Sequence, residues 1–269
     1  MNHESENGKW EGRAIALTKS LYEDNADIDW DLAEIVGCQI DAIAAELDFE
    51  DDYRRGCRSH RFRIAASIQE LKGLLQPGTR ALELGGTTYV THLLMARFPE
   101  VDWQTSSWDL RQRWPIGAES YDVAVSMEVL EHLSDPEDRR NEQLELRGLR
   151  TCLQECWRCL RPGGVLFATT PNSASIHCLQ AVLGGTTGMF YPPHIREYCR
   201  EELTRELEDA GYVIDSLRAV HCLALDHALD YTPLFRLLLN LGYPTADRGD
   251  YWFIRARRPL LVASEPEAS

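Results

Sequence analysis

The feature that most constrains the fold is the alternation, from residue 79 onward, of short apolar runs with segments of helical periodicity. Strands alternating with helices predict an α/β fold whose sheet is mostly parallel and carries helices on both faces. The predicted strands are Thr79–Leu84, Val101–Ser106, Tyr121–Ser126, Val165–Thr170, Tyr212–Val220 and Tyr251–Ala256. The predicted helices between them are Thr88–Phe98, Pro136–Leu160 with Ser134 or Asp135 as its cap, and Glu201–Ala210.

The segment before this alternation has only helical character. Apolar residues recur with a period near 3.6 in Asp31–Leu47 and again in Arg61–Leu75, and Pro77-Gly78 stops the second helix. We therefore expect a helical N-terminal cap over residues 1–76, placed at the carboxyl edge of the sheet. The main domain is expected over residues 77–262, with a helix-rich insertion at about 225–241 and a disordered tail at 263–269.

Composition excludes several classes of protein. The net charge of −15 disfavours extended contact with nucleic acid, which needs a basic surface. The sequence contains no run of about 18 apolar residues that would indicate a membrane span. The start of the chain has no signal-peptide core, so its eight cysteines indicate reduced thiols and a cytoplasmic location.

Two clusters of residues favour structural explanations. The densest cationic cluster is predicted to be a solvated helix face paired with the acids at 50–52; it comprises Arg54, Arg55, Arg58, Arg61 and Arg63. Cys152, Cys156 and Cys159 share one face of a helix, and the favoured interpretation is a stripe of small core groups rather than a thiolate metal site.

A block of ionisable residues follows the Tyr121 strand. Glu128, Glu131 and His132 lie where this predicted buried strand ends and a loop begins. In open α/β sheets, ligands bind beyond the carboxyl ends of the strands. The block is therefore the first candidate for a functional site.

Four motifs in order give the chain a family resemblance. They are Leu82-Glu83-Leu84-Gly85, Ser120-Tyr121-Asp122-Val123 with Glu128 to Leu133 and Asp135-Pro136, Leu160-Arg161-Pro162-Gly163-Gly164, and Thr169-Thr170-Pro171-Asn172 with His194 to Tyr198 behind it. Over about Thr79 to Val220 the sequence resembles the class I S-adenosylmethionine-dependent methyltransferases. It looks most like the branch of ubiquinone-type O-methyltransferases and bacterial small-molecule methyltransferases. The resemblance implies a Rossmann-like fold and S-adenosylmethionine as the cofactor.

The resemblance also implies where the cofactor binds. Gly85, Gly86 and Thr87 would line its methionine part, and Glu83 would act through its hydrogen bonds. The residues expected beside its adenine or sulfonium side are Ser126, Met127 and Glu128. Asp109 would bind the ribose or the adenine amine; the alternative is a loop acid that caps a turn.

Two departures from the family pattern are visible. Thr87 and Tyr89 stand where the family usually has its second and third glycines, so we expect a wider turn or a shifted cofactor. Only about 35 residues separate Gly86 from Tyr121, so one strand-helix unit is expected to be shortened or lost.

The histidines supply the candidate chemistry. His132 is the first candidate for a base that deprotonates a methyl acceptor, and His194 is the second. An alternative is a divalent ion, Mg²⁺ or Mn²⁺, held by Glu128, Glu131, His132 and His194, in a pattern that resembles the metal site of small-RNA 2′-O-methyltransferases. A third interpretation is structural: the carboxylates orient loop backbone and His132 packs beneath the cofactor.

The favoured function is transfer of a methyl group from S-adenosylmethionine to an oxygen or nitrogen of a small molecule or sugar. One alternative is a non-catalytic, methyltransferase-like binding or scaffold protein, because the glycine loop is altered. Another is a metal-dependent RNA 2′-O-methyltransferase, against which the net charge of −15 argues. The expected partner is therefore a small-molecule or sugar acceptor, without a membrane and without nucleic acid.

Overall fold

A single six-stranded sheet organises the molecule. The computed structural model describes residues 29–135, 146–191, 193–223 and 230–260. The strands are β1 (Arg80–Leu84), β2 (Asp102–Thr105), β3 (Tyr121–Met127), β4 (Leu160–Pro171), β5 (Val213–Val220) and β6 (Tyr251–Arg257). They lie in the order β2-β1-β3-β4-β6-β5. Neighbours from β2 to β4 are parallel, and β6 runs antiparallel to both β4 and β5. The predicted mostly parallel, Rossmann-like sheet is confirmed.

Eight helices are present in the described residues. They are α1 (Trp30–Glu46), α2 (Asp51–Arg58), α3 (Arg61–Lys72), α4 (Tyr89–Arg97), α5 (Arg147–Cys159), α6 (Ile176–Leu183), α7 (Arg200–Asp209) and α8 (Thr232–Asn240). Buried residues of α1, α3 and α4 share one core with Val123 and Val125. Buried residues of α5 and α7 share a second core with Ala124, which faces the other way because side chains alternate along a strand. Helices therefore cover both faces of the sheet.

The N-terminal helices reach the site from one face. α1 and α3 pack against the sheet, and the turn between α2 and α3 brings the chain to the carboxyl ends of the strands, where His60 and Arg63 line a cavity. Residues 1–28 of the expected cap, part of the insertion and the tail lie outside the described residues. The domain boundaries remain predictions.

The connection from β2 to β3 is short. Residues 106–120 contain turns and bends but no helix, so the predicted loss of a strand-helix unit is seen directly. Trp114 is buried in this connection, where its backbone N–H donates to Glu155 at 2.8 Å.

The predicted start of the fifth helix was wrong. α5 begins at Arg147, after Leu146 with a left-handed φ of 53°, and residues 136–145 lie outside the described part of the chain. Asp135 still caps the helix, but from a distance along the sequence, because its Oδ1 accepts from the N–H groups of Arg147 and Gly148.

The arginine cluster was only partly predicted. Arg58 and Arg61 are paired, as expected of a helix face, and their partners include Glu34 and Asp41 on α1. Arg63 is not solvated at all: it is 3% exposed and lies against the carboxyl ends of the strands.

The cysteine stripe of α5 packs as predicted. Cys152, Cys156 and Cys159 are buried in the core beside Leu149 and Leu153. Burial raises the pKa of all three thiols, to about 12 for Cys156.

Among the described residues, no helix combines the length and the apolar character needed to cross a membrane.

Candidate functional site

The glycine loop follows β1 and leads into α4. Gly85 and Gly86 have φ values of +113° and +84°, which residues with a Cβ rarely adopt. A Cβ on Gly85 would also lie 2.8 Å from the Cγ2 atom of Val129. The loop closes onto α4 through Thr91, whose hydroxyl donates to the carbonyl of Gly86 at 2.9 Å. Both glycines are therefore required by the backbone.

Ser106 and Glu83 hold this loop from below. The N–H of Gly85 donates to Oγ of Ser106 at 3.0 Å, and the N–H of Ser106 donates to the carbonyl of Glu83 at 2.9 Å. Burial raises the pKa of Glu83 to about 8, although a hydrogen bond with Thr91 opposes the shift. The carboxyl group is therefore mostly protonated at neutral pH. Ser106 was not predicted; its signal in the sequence is its position directly after β2.

The other predicted cofactor residues have different surroundings. Thr87 is exposed on the loop. Asp109 accepts hydrogen bonds from the backbone and the guanidinium of Arg111, both at 2.9 Å, which is what the turn-capping alternative predicts. Ser126 is fully buried in β3 and does not line the cavity, whereas Met127 does. The role of these residues in cofactor binding stays a prediction.

The histidines meet at a buried carboxylate. The Oε1 atom of Glu131 lies 4.0 Å from Nε2 of His132 and 4.0 Å from Nε2 of His194. The distant segments are joined because the N–H of Ile195 donates to the carbonyl of Glu131 at 2.8 Å. The two imidazole rings are edge to face, with centroids 4.8 Å apart. The predicted association of these three side chains is present.

A second carboxylate orients His194. Its Nδ1 lies 2.6 Å from Oε1 of Glu197, which also accepts from the N–H of Phe190 at 2.7 Å. The contact with Glu197 fixes the orientation of the His194 ring, whose Nε2 lies on the side of Glu131. Glu197 was quoted in the sequence motif without a role, and its signal is the three-residue spacing from His194.

Burial shifts the pKa values of the ionisable side chains in this cluster. Burial and the nearby Glu128 raise the pKa of Glu131 well above its usual range. Burial and the charge of His194 lower the pKa of His132, while a hydrogen bond to the Pro193 backbone opposes the shift. His132 is therefore neutral at pH 7 and able to accept a proton.

Glu128 lies beside an arginine. Its φ is +58°, and its N–H donates to the carbonyl of Thr169 at 3.0 Å. Its Oε1 lies 3.6 Å from Nη1 of Arg63 and has no hydrogen-bond partner in the described residues. Burial raises the pKa of Glu128, and the charge of Arg63 opposes this. The structure thus brings together three of the four predicted metal ligands and pairs the fourth with an arginine.

Arg63, Glu128, His132 and His194 line one cavity of about 760 Å³ at the carboxyl ends of β3 and β4. One side is formed by Thr88, Tyr89 and Val90 at the start of α4, and another by Met127 and Glu128. The lining contains four imidazoles, those of His60, His132, His177 and His194. Its aromatic groups are Tyr89, Phe190, Tyr191 and Tyr251. The volume lies within the range of sites that bind small molecules.

A Rossmann-like sheet with a glycine loop after β1 and ionisable side chains after β3 is typical of proteins that bind a nucleotide-containing cofactor. Comparison with known proteins identifies the family within this class. A family model described as a methyltransferase domain matches residues 29–217. The match covers more than half of the chain, so the chain belongs to the methyltransferase-domain family.

Two mycobacterial relatives resemble part of the chain. A protein of Mycolicibacterium smegmatis described as a probable S-adenosylmethionine-dependent methyltransferase is 34% identical over 127 residues, which are 47% of this chain and 41% of that protein. A Mycobacterium tuberculosis protein with the same description is 34% identical over 126 residues, 47% of this chain and 38% of that protein. The matches therefore span about two fifths of these relatives.

Solved structures support the fold. A Thermotoga maritima structure titled as an S-adenosylmethionine-dependent methyltransferase, possible histamine N-methyltransferase, is 19% identical with a TM-score of 0.50, over 81% of this chain and 99% of that one. An Archaeoglobus fulgidus S-adenosylmethionine-dependent methyltransferase is 14% identical with a TM-score of 0.50, over 80% and 98%. At these identities the likeness concerns the fold alone.

Proposed function

We propose that the protein transfers a methyl group from S-adenosylmethionine to an oxygen or nitrogen of a small-molecule acceptor. The observation that carries this proposal is the shared cavity: the helix after the glycine loop, the end of β3 and the two histidines all line it. Membership of the methyltransferase-domain family supports the choice of cofactor.

The residues present fit this cofactor. Gly85 is exposed and Gly86 is partly exposed, so the loop backbone can approach a ligand closely. Thr88 caps α4 and lines the cavity, which places the N-terminal end of a helix beside the ligand space. Met127 contributes an apolar wall that suits a sulfonium-bearing chain.

The cofactor, when bound, supplies an activated methyl group, and the chain supplies alignment and a base. Alignment of the reacting atoms accounts for much of the acceleration in such transfers. His132 accepts the proton of the acceptor hydroxyl or amine, since its lowered pKa keeps it neutral at pH 7. His194, held by Glu197, lies beside it and keeps its Nε2 available.

Calorimetry with S-adenosylmethionine and S-adenosylhomocysteine tests the first half of the proposal. We expect saturable binding of both. Formation of S-adenosylhomocysteine with a panel of hydroxyl- and amine-bearing small molecules, sugars included, tests the second half. His132→Ala is expected to bind cofactor like the wild type and to lose turnover. Absence of saturable binding by the wild type would leave only a scaffold role.

A metal-assisted variant of the same reaction has one observation in its favour. Ligand atoms of Glu131, His132 and His194 lie within 4.8 Å of one another, and Oε1 of Glu131 is buried with no hydrogen-bond partner in the part of the chain that the structure describes. These three side chains would hold a divalent ion, which supplies a Lewis acid for an acceptor oxygen. Titration with Mn²⁺ followed by calorimetry tests the site independently of activity. Wild-type turnover that survives excess EDTA, together with no Mn²⁺ binding, would reject the metal.

A further inference from the structure

Arg63 is a buried cation with incomplete pairing. It is 3% exposed, and its Nε has no hydrogen-bond partner in the described residues. Its Nη1 donates to Oγ1 of Thr169 at 3.4 Å and lies 3.6 Å from Glu128, which is an ion-pair distance rather than a hydrogen bond. Buried guanidinium groups normally make several hydrogen bonds, because desolvation of an unsatisfied charge is costly.

The cavity beside Arg63 differs in charge from the rest of the protein. The whole chain has a net charge of −15, yet the residues lining the cavity include a single carboxylate, that of Glu128, which the guanidinium of Arg63 balances. The ligand space is therefore a place where an anion meets less repulsion than elsewhere on the molecule.

An aromatic wall leads away from the guanidinium. Cζ of Arg63 lies 5.4 Å from the ring centroid of Tyr251, and the Tyr251 and Phe190 centroids are 5.5 Å apart. His177 continues the row, with its centroid 4.7 Å from that of Phe190. A ligand with a planar ring and an anionic substituent fits this row, in which one cation is followed by three aromatic side chains.

Building on the proposed function, we propose that Arg63 binds an anionic group of the ligand, and that this group is a carboxylate on a ring-bearing methyl acceptor. The planar guanidinium presents paired donors that match a carboxylate. The methyl acceptor is then an aromatic acid with a nearby hydroxyl or amine. The alternative ligand for Arg63 is the carboxylate of S-adenosylmethionine itself.

The experiment has two arms and uses the full chain. In the acceptor arm, protein saturated with S-adenosylhomocysteine is titrated with 4-hydroxybenzoate and with 4-hydroxybenzamide, which differ in the charged group. We expect the benzoate to bind at least 10-fold more tightly to wild type, and Arg63→Gln to remove that preference. In the cofactor arm, the affinities for S-adenosylmethionine and its decarboxylated form are compared between wild type and Arg63→Gln.

Matched variants separate binding from folding. Arg61→Gln on the same helix is the control, because Arg61 pairs with Glu34 and does not line the cavity. The double variant Arg63→Gln/Glu128→Gln removes both charges together, so it avoids leaving Glu128 without its cation. Circular dichroism and the melting temperature establish that each variant is folded.

Each outcome decides the proposal. Loss of benzoate preference with unchanged cofactor affinity supports the acceptor carboxylate. A loss confined to S-adenosylmethionine, with the decarboxylated form unaffected, overturns the acceptor assignment and gives the anion site to the cofactor. Folded variants that match wild type in both arms overturn the anion site itself. If wild type binds no S-adenosylmethionine, the proposed function fails, and the benzoate comparison in cofactor-free protein still tests Arg63.

Discussion

Nδ1 of His194 lies 2.6 Å from Oε1 of Glu197, and this contact directs Nε2 of the same ring toward Glu131. The carboxylate selects the tautomer and the orientation of a ring that is 7% exposed in its side chain. Partners of this kind act through the residue they hold, and their loss typically costs about 10- to 100-fold in activity. Glu197 is therefore a positioning residue.

Glu197→Gln should lower kcat by roughly 10- to 100-fold and leave the affinity for S-adenosylmethionine almost unchanged. The amide keeps the shape of the side chain but removes the charge that stabilises the ring. Steady-state kinetics with a separate calorimetric Kd measures the split. Glu201→Gln, an exposed position on α7, is the control. A change in Kd that equals the change in kcat would show that Glu197 supports the cavity as a whole.

The pH dependence of methyl transfer should follow His132. Burial and the charge of His194 lower the pKa of this side chain below its usual 6.5. A base acts when it is unprotonated, so the rate should rise with pH and reach half its maximum below pH 6.5. His132→Ala should lose about 10²- to 10⁴-fold in kcat together with this acidic limb. A profile that keeps the same limb in the variant would assign the titration to another group.

The positions of the strands were largely accessible from the sequence. Central parallel strands are buried on both faces, so they appear as continuous apolar runs such as Tyr121–Met127. The glycine pair at 85 and 86 marks where the first of these runs ends. The short connection between β2 and β3 was predicted by comparing the spacing of Gly86 and Tyr121 with the family pattern, which implied a strand-helix unit that is shortened or lost.

The parts of the site that were not predicted depend on contacts across the fold. α3 is buried on most of its surface, including Phe62, Arg63 and Ser67, so a periodicity argument that expects one apolar stripe placed Arg63 on the solvent side. The pairing of Arg63 with Glu128 spans 65 positions, and no local pattern encodes it. The start of α5 at Arg147 was missed, although Asp135 was predicted as a cap, because the hydrogen bond from the Arg147 N–H to Asp135 joins residues 12 positions apart.

Gly85→Ala should abolish cofactor binding and lower the stability of the protein. The new Cβ would be 2.8 Å from Val129 in a backbone conformation with φ +113°, so both strain and a clash oppose it. A strained residue of this kind costs of order 1–3 kcal/mol. Gly78→Ala is the matched control, because its φ is +82° and nothing lies within 4 Å of the added atom. Denaturant unfolding and calorimetry should show a larger loss at position 85; equal losses at both positions would mean that the contact with Val129 relaxes freely.

Glu83→Gln should change how stability depends on pH. Burial raises the pKa of Glu83 to about 8, far above its value of 4.5 in an unfolded chain. Between these two values the folded state holds a proton that the unfolded state has lost, so stability falls as pH rises toward 8. The amide stays neutral at every pH. The difference in melting temperature between the variant and wild type should therefore shift in favour of the variant between pH 5 and pH 8.5. Glu100→Gln, an exposed position, is the control and should track wild type at both values. If the difference between Glu83→Gln and wild type stayed constant from pH 5 to pH 8.5, the carboxyl would be ionised in the folded protein throughout, and the loop beneath Gly85 would rest on a charged group rather than a neutral one.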